Sequence, residues 1–243
     1  MPDSIARRIS VLIPTRQRTE PLHENVARLL ATADCPEEVE LLIRADLDDP
    51  ASVEAALGLD ASNRHVVVGP RYDGWRSNHR FFNELARVAS GEWLFLYNDD
   101  ASMLTAGWDT LIHQAPPRRL LCPAMIWKGR SERPHRFEAL GMLFENSEPI
   151  LHRTLYEAMG HFALHCHADV YLEWLLRPIG LQVPVSIRIL HAPTTSQDLR
   201  HTRPAAWRHD FQHDPWLRQQ TAEARARILQ GETRREKAEE TFA

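Results

Sequence analysis

The sequence contains few cysteines, and the three present are isolated from one another. Cys35, Cys122 and Cys166 lie far apart, are odd in number and form no C-x-x-C pair. A disulfide framework uses an even set of cysteines, and a thiolate metal site uses closely spaced ones. The sequence therefore predicts free thiols and a reducing compartment.

Long apolar runs are also absent. The first one covers only residues 9–13 before Pro14, and no other run approaches the length of a membrane helix, about 20 residues. A secretory signal peptide likewise needs a longer apolar core than this. We expect a soluble, cytoplasmic protein with no membrane span.

The charges are nearly balanced, and glycine is scarce. The 29 basic and 33 acidic side chains give a formal charge of −4, which does not favour a polyanion as partner, although a local basic face stays open. Residues 14–18, directly after the first apolar run, contain no glycine. A nucleotidyltransferase would carry a Gly-rich loop with Lys or Arg at this point, so that class is disfavoured.

Short apolar runs alternate with helical patterns from residue 9 to about residue 125. The predicted strands cover residues 9–13, 39–43, 65–68, 92–97 and 120–125, with helices between them at residues 20–32, 52–57 and 78–89. This alternation is typical of βαβ units on a parallel sheet. Further on, the sequence predicts a helix over residues 168–176, a strand over 183–190 and a long charged helix over 215–240. The last helix is expected to pack through Trp216, Leu217, Ile228 and Leu229.

Polar residues follow three of the predicted strands at their carboxyl ends, which is where ligands bind in open parallel sheets. Thr15 and Arg16 follow the first strand, Asp46 follows the second, and a polar triplet, residues 98–100, follows the fourth. Upstream of the triplet, Asn78 begins a predicted helix. Far downstream, His191 ends a predicted strand.

Asp99 and Asp100 are adjacent carboxylates, and their repulsion costs about 1 kcal/mol in partly solvated surroundings. A divalent cation would remove this repulsion. Oxygen ligands suit Mg²⁺ or Mn²⁺, which commonly bridge to substrate phosphates. The alternative is that the pair forms a turn or caps the next helix.

Three stretches, taken together, resemble a known family. They are residues 9–16 (ISVLIPTR), residues 78–100, which end in WLFLYNDD, and residues 167–172 (HADVYL). In order and spacing they resemble the inverting glycosyltransferases of family 2, whose nucleotide-sugar-binding fold is called GT-A. The first two stretches cover most of residues 9–112, and the resemblance is slight beyond them.

The resemblance implies an α/β fold with a GT-A-like (Rossmann-like), mostly parallel sheet flanked by helices. It implies a glycosyltransferase domain over residues 1–200, with a donor half at about 1–112 and an acceptor half at about 113–200. Residues 201–243 would form a C-terminal helical extension. The implied function is a metal-dependent inverting transfer of a sugar from a nucleotide-sugar donor, UDP-linked, to a hydroxyl of a glycan or small molecule.

The resemblance also implies roles for individual residues. Thr15, Arg16 and Asp46 match positions near the base and ribose of the nucleotide, and Asn78 matches a polar residue near the sugar or diphosphate. Asp169 matches the catalytic base, although Ala168 stands where the family motif has Glu.

The implied metal site has one departure from the family pattern. Asn98 replaces the first Asp of the D-x-D motif, so Asp100, together with Asp99, is expected to be the main ligand of Mn²⁺ or Mg²⁺. His191 matches a metal-binding histidine.

Three other functions remain open from the sequence. One is a nucleotidyltransferase-like enzyme, a second is a non-catalytic nucleotide-binding protein on the same fold, and a third is a sugar transferase acting on a modified nucleic-acid base. A separate alternative is a zinc site on a helix at His161 and His165, which have the required spacing of four residues.

Overall fold

The computed structural model of the chain describes residues 8–127, 137–139, 142–144, 148–191 and 214–242. The side chains of Trp75, of Trp127, of residues 137–144 and of residues 233–242 lie outside this description.

An eight-stranded mixed sheet forms the centre of the molecule. Its strands are β1 (Ile9–Thr15), β2 (Val39–Asp46), β3 (Arg64–Gly69), β4 (Trp93–Leu96), β5 (Ala101–Met103), β6 (Leu120–Trp127), β9 (Ile150–His152) and β10 (Gln182–His191). Two further strands, β7 (Phe137–Ala139) and β8 (Met142–Phe144), form a separate two-stranded sheet. The order across the sheet is β3-β2-β1-β4-β9-β6-β10-β5. The first four are mutually parallel, β6 is parallel to β10, and β9 and β5 run antiparallel to their neighbours.

Seven α-helices accompany the sheet within the described residues. They are α1 (Thr19–Ala31), α2 (Pro50–Leu57), α3 (Asn78–Val88), α4 (Trp108–His113), α5 (Arg153–Met159), α6 (Ala168–Leu176) and α7 (Pro215–Phe242). Successive residues of a strand point to opposite faces of the sheet, so each face has its own core. Val11 packs in the cluster that contains Val26 of α1, whereas Leu12 packs in the cluster that contains Phe82 of α3.

The C-terminal helix α7 packs on the sheet domain through one stripe of its surface. Leu217, Ala224 and Ile228 are buried there at helical spacing. The prediction was wrong for Trp216 and Leu229, which are 56% and 47% exposed. Each is the chain neighbour of a buried residue of the stripe. Successive residues of a helix point about 100° apart, so Trp216 and Leu229 point away from the sheet domain.

The predicted α/β architecture, with its mostly parallel sheet and C-terminal helix, is confirmed. The structure adds β5, β9 and α5, which the sequence pattern did not predict because three to seven residues are too few to show a period. None of the described helices is both long enough and apolar enough to cross a membrane.

Candidate active site

The Asp99-Asp100 turn lies at the carboxyl end of β4, beside the end of β1. The parallel register pairs Leu12 with Leu96, so Thr15 and Asp99, each three residues further on, are neighbours as well. The Thr15 hydroxyl donates a 2.8 Å hydrogen bond to Asp99 Oδ2. Both aspartates are buried, with 7% and 9% exposure. The ends of β1 and β4 therefore meet at this edge of the sheet.

Arg18 bridges the two aspartates. Its Nη1 lies 3.2 Å from Asp99 Oδ1 and 2.6 Å from Asp100 Oδ2. The backbone turns sharply just before it, because Gln17 has φ 55° and its N–H donates to the Asp49 carboxylate at 2.8 Å. This turn separates Arg18 from Arg16, which bonds different carboxylates.

His191 reaches Asp100 because of the short strand β5. β5 begins immediately after Asp100 and pairs antiparallel with the end of β10, where His191 is the partner of Ala101. His191 Nε2 lies 3.1 Å from Asp100 Oδ1. The imidazole and the carboxylate therefore face each other from adjacent strands.

Glu148 is a further carboxylate of this cluster, and the sequence did not predict it. It precedes β9, which pairs antiparallel with β4. Its carboxylate accepts hydrogen bonds from the Asn98 side-chain amide at 2.7 Å and from the Asn98 backbone N–H at 3.1 Å. Glu148 Oε1 also lies 3.9 Å from His191 Nε2, and the side chain is fully buried.

The same contacts give a reason for Asn98 in place of an aspartate. A carboxamide can donate to Glu148, whereas a second carboxylate at this position could only repel it. A carboxyl group is therefore present beside position 98, at Glu148, two residues before β9.

The acidity of these carboxyl groups differs from that of a buried carboxylate elsewhere in the sheet. Burial raises the pKa of Asp99 to about 6, with the charge of Asp100 adding to the effect and Arg18 opposing it. Burial also raises the pKa of Glu148 well above its ordinary value. Glu40, at the amino ends of the strands, is desolvated too, but hydrogen bonds from Ser10 and Ser90 outweigh burial and lower its pKa. Raised values in one cluster are characteristic of functional sites.

Asp169 lies in the first turn of α6, after His167 at the N-cap position. Burial raises the pKa of Asp169 to about 6, although backbone N–H groups of Val170 and of Asp169 itself oppose the shift. Its charge contributes to the raised pKa of Glu148, so the two carboxyl groups share one electrostatic environment. Upstream, Asn83 of α3 fixes the chain before α6 by accepting the Phe162 N–H at 2.7 Å.

Asp46 is held by two arginines. Its Oδ2 accepts from Arg16 Nη1 at 2.9 Å, and its Oδ1 accepts from Arg44, which is almost completely buried. Arg44 in turn lies over the Phe81 ring at 4.5 Å and contacts Glu84. Asp46, at the end of β2, is therefore part of a buried ion network. Its removal would leave Arg44 without one of its partners.

Three other predicted residues lie on elements other than the Asp99-Asp100 turn. Asn78 is the first residue of α3, and within the described part of the chain no hydrogen bond joins it to Asp99 or Asp100. His161 and His165 lie in the irregular segment between α5 and α6, not on a helix, and a hydrogen bond of 2.6 Å joins His161 Nε2 to Tyr171 Oη. The helical spacing assumed for a zinc pair is therefore not present.

The cluster suits a cation that is shared with a substrate. Among the described residues, no three His, Cys, Asp or Glu side chains are arranged as a metal site made by protein alone. Asp100 and His191 nevertheless face each other at 3.1 Å. One or two protein ligands, completed by phosphate oxygens and water, are the usual arrangement for a metal that bridges substrate phosphates. The donor set therefore fits Mn²⁺ or Mg²⁺ in that form.

Arg18 and Glu148 are the main residues of the cluster that the sequence patterns did not identify. Arg18 follows the predicted strand end, residue 13, by five residues, and Arg16 was identified from the same strand end. Glu148 carried no comparable signal, because it precedes a strand of only three residues.

Comparison with known proteins gives matches in structure and none in sequence. No family model matches the chain, and no curated protein matches it by sequence. The mannosyltransferase PcManGT from Pyrobaculum calidifontis, solved with GDP-Man and Mn²⁺, matches 89% of this chain and 73% of its own, with a TM-score of 0.60 and 14% identity.

TarS 1-349 from S. aureus also matches. Its complex with UDP-GlcNAc covers 80% of this chain at a TM-score of 0.55 and 15% identity, and its UDP complex covers 77% at a TM-score of 0.55. The present chain spans 61% of the TarS 1-349 chain. At these identities the similarity concerns the fold. The mixed sheet, its flanking helices and these matches show that the chain has the GT-A-like fold of nucleotide-sugar glycosyltransferases.

Proposed function

We propose that the chain is a metal-dependent inverting glycosyltransferase that moves a sugar from a nucleotide-sugar donor to an acceptor hydroxyl. The observation that carries the proposal is the meeting of Asp99, Asp100, Glu148 and His191 at the carboxyl ends of β4 and β10. In a sheet of this class, that edge is where nucleotides bind.

The donor is proposed to lie against the ends of β1 and β2. Thr15 and Arg16 are located there, and Asp46 adjoins them. Structural relatives have been solved with GDP-Man and with UDP-GlcNAc, so nucleoside diphosphate sugars are the donor class to test, with a UDP-linked sugar proposed.

Asp100 and His191 would hold the divalent cation, Mn²⁺ or Mg²⁺. When bound, such an ion supplies positive charge that stabilises the departing diphosphate. Asp99 accepts from Thr15 and Arg18, which keeps its carboxylate beside Asp100 and the donor-binding strand end.

Asp169 is proposed to take the proton from the acceptor hydroxyl as that oxygen attacks the anomeric carbon. A pKa of about 6 leaves the carboxylate mostly ionised at neutral pH while keeping it more basic than an ordinary aspartate. The hydroxyl oxygen then bonds to the sugar on the face opposite the departing nucleotide, which inverts the anomeric centre.

The test is a thermal-shift screen of UDP and GDP, each with Mn²⁺, with Mg²⁺ and with a chelator. A nucleotide at 100 times its dissociation constant should stabilise the fold by about 2.7 kcal/mol. The shift should be larger with the metals than with the chelator. Equal shifts in both conditions would contradict metal dependence, and no shift with either nucleotide would contradict the donor class.

Donor hydrolysis provides the catalytic test without knowledge of the acceptor, because water can replace the acceptor hydroxyl. Wild-type protein with UDP-sugars and Mn²⁺ should release UDP and free sugar. A non-catalytic nucleotide-binding protein would bind the donor and release no UDP.

A further inference from the structure

Arg18 places a positive charge between the two aspartates of the candidate metal site. Its Nη1 is shared between Asp99 Oδ1 and Asp100 Oδ2, and its side chain is 27% exposed, so it reaches this position from the solvent side. The guanidinium thereby offsets the repulsion between two adjacent buried carboxylates. A divalent cation held by Asp100 would serve the same purpose.

Asp100 has Arg18 at one carboxylate oxygen and His191 at the other. One of its oxygens faces His191 Nε2 at 3.1 Å, and the other accepts from Arg18 at 2.6 Å. A cation held by Asp100 and His191 would meet the guanidinium charge next to it. Two positive charges on one carboxylate repel each other, so each weakens the binding of the other.

The backbone at Arg18 is fixed, and its side chain is partly exposed. The Gln17 N–H is held by Asp49 at 2.8 Å and by the Ser52 hydroxyl at 2.9 Å, and Arg18 is the N-cap residue of α1. A guanidinium on a fixed backbone can exchange one anionic partner for another by changing its rotamer. Arg guanidinium groups bind phosphate through two parallel N–H donors, as they bind carboxylates.

We propose that Arg18 is an internal counter-cation that gives up Asp100 when the divalent ion binds and then pairs with the diphosphate of the donor. This inference depends on the proposed function, because it assigns Arg18 a partner in the same nucleotide-sugar site. It makes Arg18 a donor-binding residue, and it makes metal binding a condition for the arginine to bind phosphate.

The experiment measures Mn²⁺ affinity and nucleotide affinity separately in Arg18→Gln and in wild type. Mn²⁺ alone is titrated by calorimetry, and UDP or GDP is then titrated at saturating Mn²⁺. Without the competing charge, Arg18→Gln should bind Mn²⁺ about tenfold more tightly, and without its phosphate contact it should bind the nucleotide about tenfold more weakly. A residue that only supported the fold would weaken both affinities together.

Arg28→Gln is the matched control, because Arg28 is exposed on the same helix and its change removes the same charge. It should leave both affinities within about twofold of wild type, since an exposed charge that is paired with neither aspartate is screened by salt. If Arg18→Gln does not fold, Arg18→Lys keeps the charge but loses the planar fork. Its nucleotide affinity should fall while its Mn²⁺ affinity stays near that of wild type.

Two results would overturn the inference. Mn²⁺ affinity that is unchanged or lower in Arg18→Gln would exclude the competition, and unchanged nucleotide affinity would exclude the phosphate contact. Failure of the proposed function looks different, because then the wild type itself binds neither nucleotide in the presence of Mn²⁺.

Discussion

Individual residues in this chain combine a proposed catalytic task with a cost in stability. Asp169 and Asp99 have pKa values raised to about 6 by burial, so at neutral pH each carries a charge that the folded state disfavours. Glu40, by contrast, is buried and held by donors at the opposite end of the sheet. Hydrogen bonds therefore outweigh burial at Glu40, whereas at the candidate active site burial outweighs the hydrogen bonds to Asp99 and Asp169.

The proposed base can be tested by Asp169→Asn, which keeps the shape and removes the charge. Donor hydrolysis should fall by about 10²–10⁴-fold with donor affinity retained. In wild type the rate should rise with pH through about 6, as Asp169 ionises. Undiminished hydrolysis would show that another residue is the base, for example Glu173 or His167. Glu138 is a further candidate, and its side chain lies outside the described residues.

The same substitution should change stability in the opposite direction from activity. A folded-state pKa of about 6 lies above the unfolded value, so protonation stabilises the fold. That contribution is complete below about pH 4 and is lost as pH rises through about 6. Asp169→Asn should therefore be more stable than wild type by about 1–3 kcal/mol at pH 7.5, with the difference vanishing below pH 4. Urea unfolding at the two pH values measures this, and a destabilised variant at pH 7.5 would indicate that Asp169 mainly caps α6.

The contact between Asn98 and Glu148 can be tested by exchanging the two groups. Asn98→Asp alone should destabilise the fold by about 1–3 kcal/mol, because it removes the amide that donates to Glu148 and sets a partly buried carboxyl group against a fully buried one. Adding Glu148→Gln provides a new donor facing the new carboxylate and should recover most of the loss. Urea denaturation of the single and double variants measures the recovery. If Asn98→Asp were as stable as wild type, the 2.7 Å contact would not exist in solution.

Secondary-structure elements position the site through small features of their ends. β5 is three residues long and brings His191 beside Asp100, and β9 is equally short and brings Glu148 beside Asn98. Arginines of helix α7 donate hydrogen bonds to carbonyl groups at the C-terminal ends of α5 and α6. Arg227 donates to the carbonyl groups of Ala158 and Met159 at the end of α5, at 2.9 and 2.8 Å.

This attachment of α7 predicts a difference between two of its arginines. Arg227→Ala should destabilise the protein by about 1–1.5 kcal/mol, because it removes two hydrogen bonds to helix-terminal carbonyls, although Arg227 is itself exposed. Arg218→Ala, on an exposed position of the same helix, should change stability by less than about 0.5 kcal/mol. Thermal or urea unfolding distinguishes the two. Equal effects would mean that the two hydrogen bonds of Arg227 add little to the attachment of α7.

At the scale of the whole molecule, the two edges of the sheet have different chemistry. The amino ends of the strands carry the satisfied network of Ser10, Glu40 and Ser90. The carboxyl ends carry Asp99 and Glu148, whose pKa values are raised. Ligand binding should therefore be confined to the second edge.

Hydrogen exchange can locate the ligand on the molecule. With Mn²⁺ and nucleotide at 100 times the dissociation constant, amides at Gln17, Ala101 and His191 should gain protection by up to about 100-fold. Amides that exchange by local opening near Ser90 and Gly91 should keep their rates. Protection that appears first at the Ser90 edge would place the ligand on the wrong side of the sheet for the proposed function.

The sequence by itself determined the α/β class, the first four strands and the helices between them. Apolar runs and helical spacings long enough to show a period specify these elements locally. The sequence also predicted that Thr15 and Asp99 follow strand ends on the ligand side, because ligands bind beyond the carboxyl ends of the strands in an open parallel sheet.

The tertiary structure alone decided how the cluster is completed. Glu148 and His191 meet Asp100 through strands β5 and β9, and strands of three residues gain their stability from pairing with neighbours distant in sequence. The raised pKa values, the position of Arg18 between two carboxylates and the burial of Arg44 beneath Asp46 also depend on which groups exclude water from one another. Desolvation is a property of the packed molecule, and for that reason no local pattern in the sequence could specify it.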